Sequence, residues 1–336
     1  MDGIRGVAAI AVVLYHAAPG GKPILASGYL AVDLFFLLSG FVIDRTYRAR
    51  LDGGLGLPRF LQLRLIRLYP AFLLGLALSL LSVLASLAAA PNPRLAGDLL
   101  LSLPNLAFLP SPPLGRDPAS WLLFPLDGAY WSLFFELAVN LIYAAGLVRL
   151  SRAQLALLAI GGAAWLAWGI AAHGTADLGA GWSTFGWGFA RAFTAFLIGV
   201  VLARTPLARI RGRGADLLPL VVLGGALLYP GNTATGDILA VLVAFPLLVL
   251  AGATLEPRAP RLHDLLGRIS YPLYCIHVPL LKWQGVHDGV LGLGPLPTTL
   301  ALVVALLVWA ALVDRTIDEP ARRWLRARLP AGAAST

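Results

Sequence analysis

The sequence predicts an all-α protein, a polytopic integral membrane helical bundle with about ten transmembrane helices. Hydrophobic residues make up 58% of the 336 positions and charged residues only 13%, whereas soluble domains carry about 25% charged residues. Long apolar runs recur from one end of the chain to the other. The alternation of apolar and polar residues that marks membrane β-strands is not seen, so we expect one helical membrane domain.

Each predicted span is a run of about 20 mostly apolar residues, the length that a helix needs to cross the hydrocarbon core. The runs lie at residues 4–20, 28–46, 66–90, 131–149, 154–172, 185–204, 215–230, 236–254, 267–285 and 296–316. Between the third and fourth runs, residues 91–130 contain eight prolines and a short apolar stretch that Pro104 interrupts. We therefore expect an interfacial or re-entrant helix in 91–130, not an eleventh crossing.

The distribution of cations between the spans predicts the orientation. Twenty of the 26 Lys and Arg residues lie in the loops and tail that follow the even-numbered spans, or at the span ends that border them. The opposite set of loops holds only Lys22, Arg94, Arg116 and Lys282. Because cytoplasmic loops carry the excess of Lys and Arg, both termini are predicted to be cytoplasmic, in the inner (plasma) membrane. This topology accounts for the net charge of +9, and no nucleic-acid motif is present.

Several ionisable side chains fall inside the predicted spans, where they are costly and therefore candidates for function. The topology places them together in the outer half of the bilayer: His16, Asp33, Glu136, Arg191 and His277, with Tyr274. Structural alternatives remain open for each. His16 could lie in the headgroup region at a helix end, and Asp33 and Arg191 could form a structural ion pair. Glu136 could cap its own helix, and His277 could bond a backbone carbonyl.

Cations also collect at the predicted cytoplasmic end. Arg64 and Arg67 are three residues apart and share a helix face, and Arg5 lies near them in the topology. Arginine forks match phosphate groups, which favours capture of an anion. The alternatives are an ordinary positive flank for Arg64 and Arg67 and a snorkelling side chain for Arg5. The single cysteine, Cys275, excludes an intramolecular disulfide.

Several segments, taken in order, resemble acyltransferase family 3, a family of membrane O-acyltransferases of lipopolysaccharide, exopolysaccharide and other glycans. The opening DGIRGVAAIAVVLYH is similar to the family's first helix, with its arginine and histidine eleven positions apart at Arg5 and His16. The other similar segments are GYLAVDLFFLLSGFVI at 28–43, RLIR at 64–67, WSLFFE at 131–136, ISYPLYCIHVPLL at 269–281 and DEPARRWL at 318–325. The resemblance divides the chain into a membrane domain at 1–320 and a basic cytoplasmic tail at 321–336.

The resemblance implies that a cytoplasmic acyl-CoA, most often acetyl-CoA, is the co-substrate, with no tightly bound cofactor and no metal. A carbohydrate hydroxyl is the implied acceptor. His16 would act as general base or, alternatively, as transient acyl carrier. Glu136 or Asp33 would orient His16 or the acceptor. Arg5, Arg64 and Arg67 would bind the donor. Tyr274, His277 and Arg191 would bind the substrate.

Other proteins of the bilayer could carry a similar polar layer. The first alternative is a transporter or exporter of a small acid or sugar, although no internal repeat supports it. A non-catalytic scaffold is a second alternative. The partners expected for the enzyme are acyl-CoA, the carbohydrate acceptor and the lipid bilayer, together with a second copy of the chain or a separate extracytoplasmic protein.

Overall fold

A computed structural model describes residues 1–19, 22–206, 223–225, 227, 233–255, 259–282 and 294–329. Within these residues the chain is nearly all helical and holds no β-strand, only isolated bridging pairs such as Leu122 with Gly181. The predicted all-α class is therefore confirmed for the described part of the chain. The predicted seventh span, 215–230, and the end of the tail, 330–336, lie outside it, apart from residues 223–225 and 227.

The described residues up to 203 form seven α-helices of very unequal length. They are α1 (Asp2–His16), α2 (Ala31–Asp52), α3 (Leu57–Ala89), α4 (Pro93–Leu101), α5 (Trp131–Ala145), α6 (Arg152–His173) and α7 (Phe185–Ala203). The described helices that follow are α8 (Ala234–Leu239), α9 (Phe245–Thr254), α10 (Pro260–Lys282), α11 (Pro295–Val313) and α12 (Glu319–Ala327). A π-helical turn joins α8 to α9 at Ala240–Ala244, and another joins α11 to α12 at Asp314–Asp318.

Local sequence signals set several of the helix ends. The Ser151 hydroxyl accepts the backbone N–H of Gln154, and the Gln154 side chain bonds back to Ser151, so a reciprocal capping box starts α6. Gly174 ends the same helix in the left-handed conformation, with φ of 77°. Asn92 caps α4 by accepting two backbone N–H groups. Ser, Asn and Gly are the residue types usually found at helix ends, so these helix boundaries follow from the sequence.

Five helical segments are long and apolar enough to cross a membrane. They are Leu57–Ala89, Arg152–His173, Trp182–Ala203, Ala234–Thr254 and Leu296–Ala327. Each overlaps one of the ten predicted spans. Four further predicted spans coincide with α1, α2, α5 and α10, which are helical but shorter or more polar. The count of ten spans and the orientation of the termini therefore stay predictions.

Residues 91–130 contain the short helix α4, whose nine residues make it about 14 Å long. The hydrocarbon core is about 30 Å thick, so α4 cannot cross it. None of its residues is fully buried, and Leu100 is 68% exposed. An apolar helix of this length that packs on the surface agrees with the predicted absence of a crossing in this stretch.

The functional side chains are held by two tightly packed helix pairs, α2 with α7 and α1 with α10. In the first pair, a Cβ at Gly40 would collide with the carbonyl oxygen of Phe196, and one at Gly199 with that of Leu37. Only glycine allows the backbones of α2 and α7 to approach so closely. In the second pair, a Cβ at Gly6 of α1 would collide with Leu266 of α10, and one at Gly267 of α10 with Asp2 of α1.

Candidate active site

The C-terminal turn of α1 and the middle of α10 bring two imidazoles together. His277 Nε2 lies 3.2 Å from His16 Nδ1, and the ring centroids are 4.9 Å apart. His16 Nδ1 also lies 3.0 Å from the carbonyl oxygen of Val12, and His277 Nδ1 lies 2.7 Å from that of Tyr274. His277 is fully buried, whereas His16 is exposed.

These partners fix the proton positions on both neutral rings. A carbonyl oxygen can only accept, so Nδ1 of His277 must carry the proton that it donates to Tyr274. Its Nε2 is then an acceptor, and Nδ1 of His16 must donate, shared between Val12 and His277. The remaining nitrogen of His16, Nε2, therefore keeps its lone pair. A histidine held in this tautomer on an exposed ring is arranged to act as a base.

One turn of α10 away, a cavity of about 230 Å³ runs between α2, α3, α5 and α10. Arg5, Arg64 and Arg67 line one part of it, and Ser132 and Tyr274 line another. The Tyr274 hydroxyl bonds Ser132 Oγ at 2.6 Å and the carbonyl of Ala129 at 2.7 Å. Because Tyr274 also supplies the carbonyl that holds His277, the cavity wall connects directly to the histidine pair.

The three arginines present donors that the described protein leaves unused. Arg64 Nε and Arg67 Nη1 are buried and have no hydrogen-bond acceptor. Arg67 Nη1 lies 3.9 Å from the nearest carboxylate, that of Asp318, which is beyond hydrogen-bond length. Arg5 makes no side-chain hydrogen bond or ion pair with any described residue. Buried donors without acceptors cost about 1–3 kcal/mol each, so this part of the cavity favours an anion.

Glu136 belongs to the arginine part of the cavity. Its carboxylate accepts from Arg64 Nη2 at 2.9 Å and from the Ser39 hydroxyl at 2.9 Å. The predicted alternative, a cap on its own helix, is not what the structure shows, because α5 begins without a side-chain cap. Glu136 also makes no hydrogen bond to His16 among those of the described residues.

Asp33 and Arg191 form an ion pair, the contact that the structural alternative requires. Arg191 Nη2 and Nε lie 2.6 and 3.1 Å from the two carboxylate oxygens of Asp33. Arg191 also donates to the carbonyls of Leu178 and Tyr29, and its guanidinium lies over Trp131. Both side chains are fully buried. Within the predicted polar layer, Asp33 pairs with Arg191 and His16 with His277. Glu136 instead pairs with Arg64, which was expected at the cytoplasmic end, and Tyr274 bonds Ser132.

Two residues of the site were not singled out from the sequence. Arg326 of α12 lines the same cavity as the three arginines, and its position four residues after Arg322, on one helix face, was a signal that could have indicated it. Asp127 caps the turn before α5 through the backbone N–H of Ala129 at 3.1 Å. Burial raises the pKa of Asp127 to about 7. Since Ala129 supplies the carbonyl that Tyr274 bonds, Asp127 fixes that part of the wall.

The chain is similar to a known protein family along most of its length. The family model described as an acyltransferase domain matches residues 1–315, which is nearly the whole chain. No solved structure matches. The match covers α1 to α11, and thereby all the residues that line the cavity except Arg326.

Three curated proteins illustrate the similarity. Protein 2 in the picA locus of Rhizobium radiobacter is 42% identical over 171 residues, covering 47% of this chain and 86% of that protein. BcsY of Komagataeibacter xylinus, provisionally named a membrane-bound transacylase, is 29% identical over 94% of this chain and 82% of its own. The exopolysaccharide production protein ExoZ of Rhizobium meliloti is 28% identical over 94% of this chain and 96% of its own.

Proposed function

Because the chain belongs to acyltransferase family 3 and is therefore an acyltransferase, we propose that it moves an acyl group, most simply acetyl, from acyl-CoA to a carbohydrate hydroxyl. The observation that carries this proposal is the continuity of the site. One cavity joins three arginines with unused donors to the Tyr274 turn, which holds His277 against His16. A donor whose anionic groups are joined by a long arm to a distant thioester could place its anionic groups at the arginines and its thioester near Tyr274.

The donor is proposed to enter at the arginines, from the cytoplasm. Coenzyme A carries phosphate groups, and arginine forks bind phosphate through parallel charge-assisted hydrogen bonds. Arg64 and Arg67 offer the buried donors named above, and Arg5 adds a third cation. The acyl arm would follow the cavity wall of Phe35, Phe36 and Leu68 towards Ser132 and Tyr274. Arg5 and His16 are eleven residues apart on α1, about 16 Å along the helix axis.

The chemistry is proposed to use His16 as general base. Its free Nε2 takes the proton from the acceptor hydroxyl while the hydroxyl oxygen attacks the thioester carbon. The tetrahedral intermediate collapses by breaking the carbon–sulfur bond, and the proton on Nε2 passes to the leaving thiolate. During the step His16 is an imidazolium whose Nδ1–H is held by His277 Nε2 and the Val12 carbonyl. No covalent intermediate on the protein is needed.

The acceptor is proposed to be a hydroxyl of an extracellular or cell-envelope polysaccharide. The support is the name of ExoZ as an exopolysaccharide production protein and its match along nearly the whole of both chains. The exposure of His16, at the opposite end of α1 from Arg5, also suits a large acceptor. The proposal therefore has the donor and the acceptor approach from opposite ends of α1.

The substitution His16→Ala tests the function. We expect acyl transfer to fall by about 10²- to 10⁴-fold, the usual contribution of a general base. The measurement is transfer of a radiolabelled acetyl group from acetyl-CoA to de-esterified extracellular polysaccharide, using purified protein in nanodiscs. The matched control is His173→Ala, because His173 also ends a helix and its Nδ1 also bonds a carbonyl four residues earlier, at 2.9 Å.

Two outcomes would contradict the proposal. Activity of His16→Ala within twofold of the control would remove His16 from the chemistry. A wild-type protein that neither transfers nor hydrolyses acyl-CoA, but moves a sugar or acid across a vesicle membrane, would favour the transporter instead.

A further inference from the structure

A tyrosine and an exposed carboxylate flank His16 and have no role in the chemistry described so far. The Tyr15 hydroxyl donates to Asp177 Oδ2 at 2.6 Å. The Tyr15 ring lies edge-on to the His16 ring, with centroids 5.2 Å apart, so the carboxylate that accepts the Tyr15 hydroxyl lies at the same end of α1. Asp177 is exposed and Tyr15 is half-buried. Both groups therefore border the side of His16 that is open to an incoming molecule.

The segment that carries Asp177 is held in place by hydrogen bonds to a buried carboxylate. Asp237 is fully buried and accepts the backbone N–H of Ala176 at 2.7 Å and the hydroxyl of Thr175 at 3.4 Å. The same carboxylate accepts the Tyr29 hydroxyl at 2.9 and 2.8 Å. Tyr29 in turn packs edge-on against Tyr15, with centroids 5.6 Å apart. The buried Asp237 thus positions both Asp177 and Tyr15.

One oxygen of Asp177 is available for a ligand. Oδ2 holds the Tyr15 hydroxyl, whereas Oδ1 has no hydrogen-bond donor among the described residues. An ionised carboxylate accepts up to about four hydrogen bonds, so Asp177 can take hydroxyl donors from a bound sugar. The Tyr15 ring offers an apolar surface beside it. A rigid carboxylate next to an aromatic ring provides both the polar and the apolar contacts that a sugar ring requires.

We propose that Tyr15 and Asp177 form the acceptor subsite, which binds a hydroxyl-rich sugar unit so that one of its hydroxyls faces His16 Nε2. The inference rests on the proposed acyltransfer to a carbohydrate. Asp177 accepts from a hydroxyl next to the one that is acylated, and Tyr15 lies against the sugar ring. The subsite selects the acceptor and takes no part in binding acyl-CoA, which lies on the other side of His16.

The test compares Asp177→Asn with the wild type in steady-state transfer to de-esterified extracellular oligosaccharide. Asparagine keeps the shape but loses the charge, so we expect the KM for the oligosaccharide to rise about tenfold or more, as for loss of a charge-assisted hydrogen bond. The KM for acetyl-CoA and its hydrolysis without acceptor should stay within twofold. Asp117→Asn is the matched control, because Asp117 is also exposed and accepts a backbone N–H two residues ahead.

Binding is measured separately from transfer, so that the proposed subsite and the proposed enzyme activity can each be contradicted without the other. Saturation-transfer NMR of the same oligosaccharide with nanodisc protein, without acetyl-CoA, should show contact signals in the wild type and in Asp117→Asn but weak signals in Asp177→Asn. Equal signals and an unchanged KM would overturn the subsite. An equal loss of transfer and of acetyl-CoA hydrolysis in Asp177→Asn would also overturn it, because Asp177 would then act on His16 and not on the acceptor.

Discussion

Among single residues, His277 has the clearest effect on another side chain. In serine hydrolases a carboxylate fixes the tautomer of the catalytic histidine, whereas here a second, neutral imidazole receives the His16 Nδ1–H. Its own orientation is set by the Tyr274 carbonyl. The arrangement orients the base without placing an additional charge in a buried region, where a charge would be costly. We therefore propose that His277 positions His16, whereas the sequence analysis expected it to bind substrate.

The substitution His277→Leu should lower kcat about tenfold or more, because it removes an acceptor of a charge-assisted hydrogen bond while leaving His16 in place. In His277→Gln the amide oxygen can still accept from His16 Nδ1, so part of the rate should return. The measurement is kcat for acetyl transfer at equal amounts of folded protein. A structural role alone would make both variants lose stability and keep kcat per folded molecule, contrary to this expectation.

The Asp33–Arg191 pair is expected to stabilise the fold. Removing one partner of a buried ion pair costs roughly 3–5 kcal/mol, so Asp33→Leu should strongly reduce the folded fraction after heating in detergent. Adding Arg191→Met should restore part of it, since no buried charge is then left alone. The exposed pair Arg48–Asp52, at 3.8 Å, supplies the control, and Asp52→Leu should change stability little.

The same variants decide between the structural role and the catalytic role expected for Asp33. If the double variant recovers its fold and transfers acetyl groups at a rate near that of the wild type per folded molecule, Asp33 is structural. A folded double variant without activity would return Asp33 to the chemistry.

Candidate residues for the site could be named from the sequence, but their contacts could not. His16 and His277 were both candidates because an ionisable group in an apolar span is unusual. Their contact joins positions 261 residues apart, and one sequence does not tell which faces of α1 and α10 meet. For the same reason Glu136 was expected to lie near His16, whereas it is paired with Arg64.

Among the helices, α12 extends the arginine part of the cavity. Arg322 lies 2.7 Å from Asp318 and 3.3 Å from Asp314, both buried in the π-helical turn, and this pairing fixes the direction in which α12 leaves the turn. One helical turn further on, Arg326 reaches the cavity. It is exposed, so it stands at the rim, whereas Arg64 and Arg67 stand inside.

The arginines should therefore contribute unequally to donor binding. We expect the joint substitution Arg64→Ala and Arg67→Ala to raise the KM for acetyl-CoA tenfold or more, because buried charge-assisted contacts contribute about 1.5–3 kcal/mol. Arg326→Ala should raise it only about two- to fivefold, as for an exposed ion pair. Arg328, whose guanidinium stacks on Trp324 at 3.6 Å, is the control, and Arg328→Ala should leave the KM unchanged. Steady-state kinetics with varied acetyl-CoA give all three values, and a KM that the double variant does not change would contradict the donor site.

The positions of the helices could be predicted better than which of them are long and apolar enough to cross a membrane. The apolar runs at 66–90, 154–172, 185–204, 236–254 and 296–316 each overlap a helix long and apolar enough to span. The runs that include His16, Asp33, Glu136 and His277 are helical as well. Of these, α1 and α5 are short, with 15 residues each, and α2 carries Asp44, Arg45 and Arg48.

For the molecule as a whole, the proposed reaction requires that the donor and the acceptor reach the site from two opposite sides of the protein. Arg5 and His16 lie at opposite ends of α1. In the proposed reaction, the donor phosphates would bind at the Arg5 end and the acceptor sugar would approach His16 at the other end. The excess of Arg on one set of loops predicts that the donor end is cytoplasmic. The orientation of the chain therefore decides whether a cytoplasmic acyl-CoA can reach the arginines at all.

Single cysteines in a Cys275→Ala background test that orientation in intact cells. Ser120→Cys, in the loop before α5, should react with a membrane-impermeant maleimide, whereas Asp52→Cys at the end of α2 and Ala327→Cys at the end of α12 should react only after permeabilisation. All three positions are exposed, so differences in labelling report on the membrane and not on burial within the protein. The reverse pattern would place the arginines outside the cell, where acyl-CoA is absent, and would exclude the proposed donor while leaving the His16–His277 geometry unchanged.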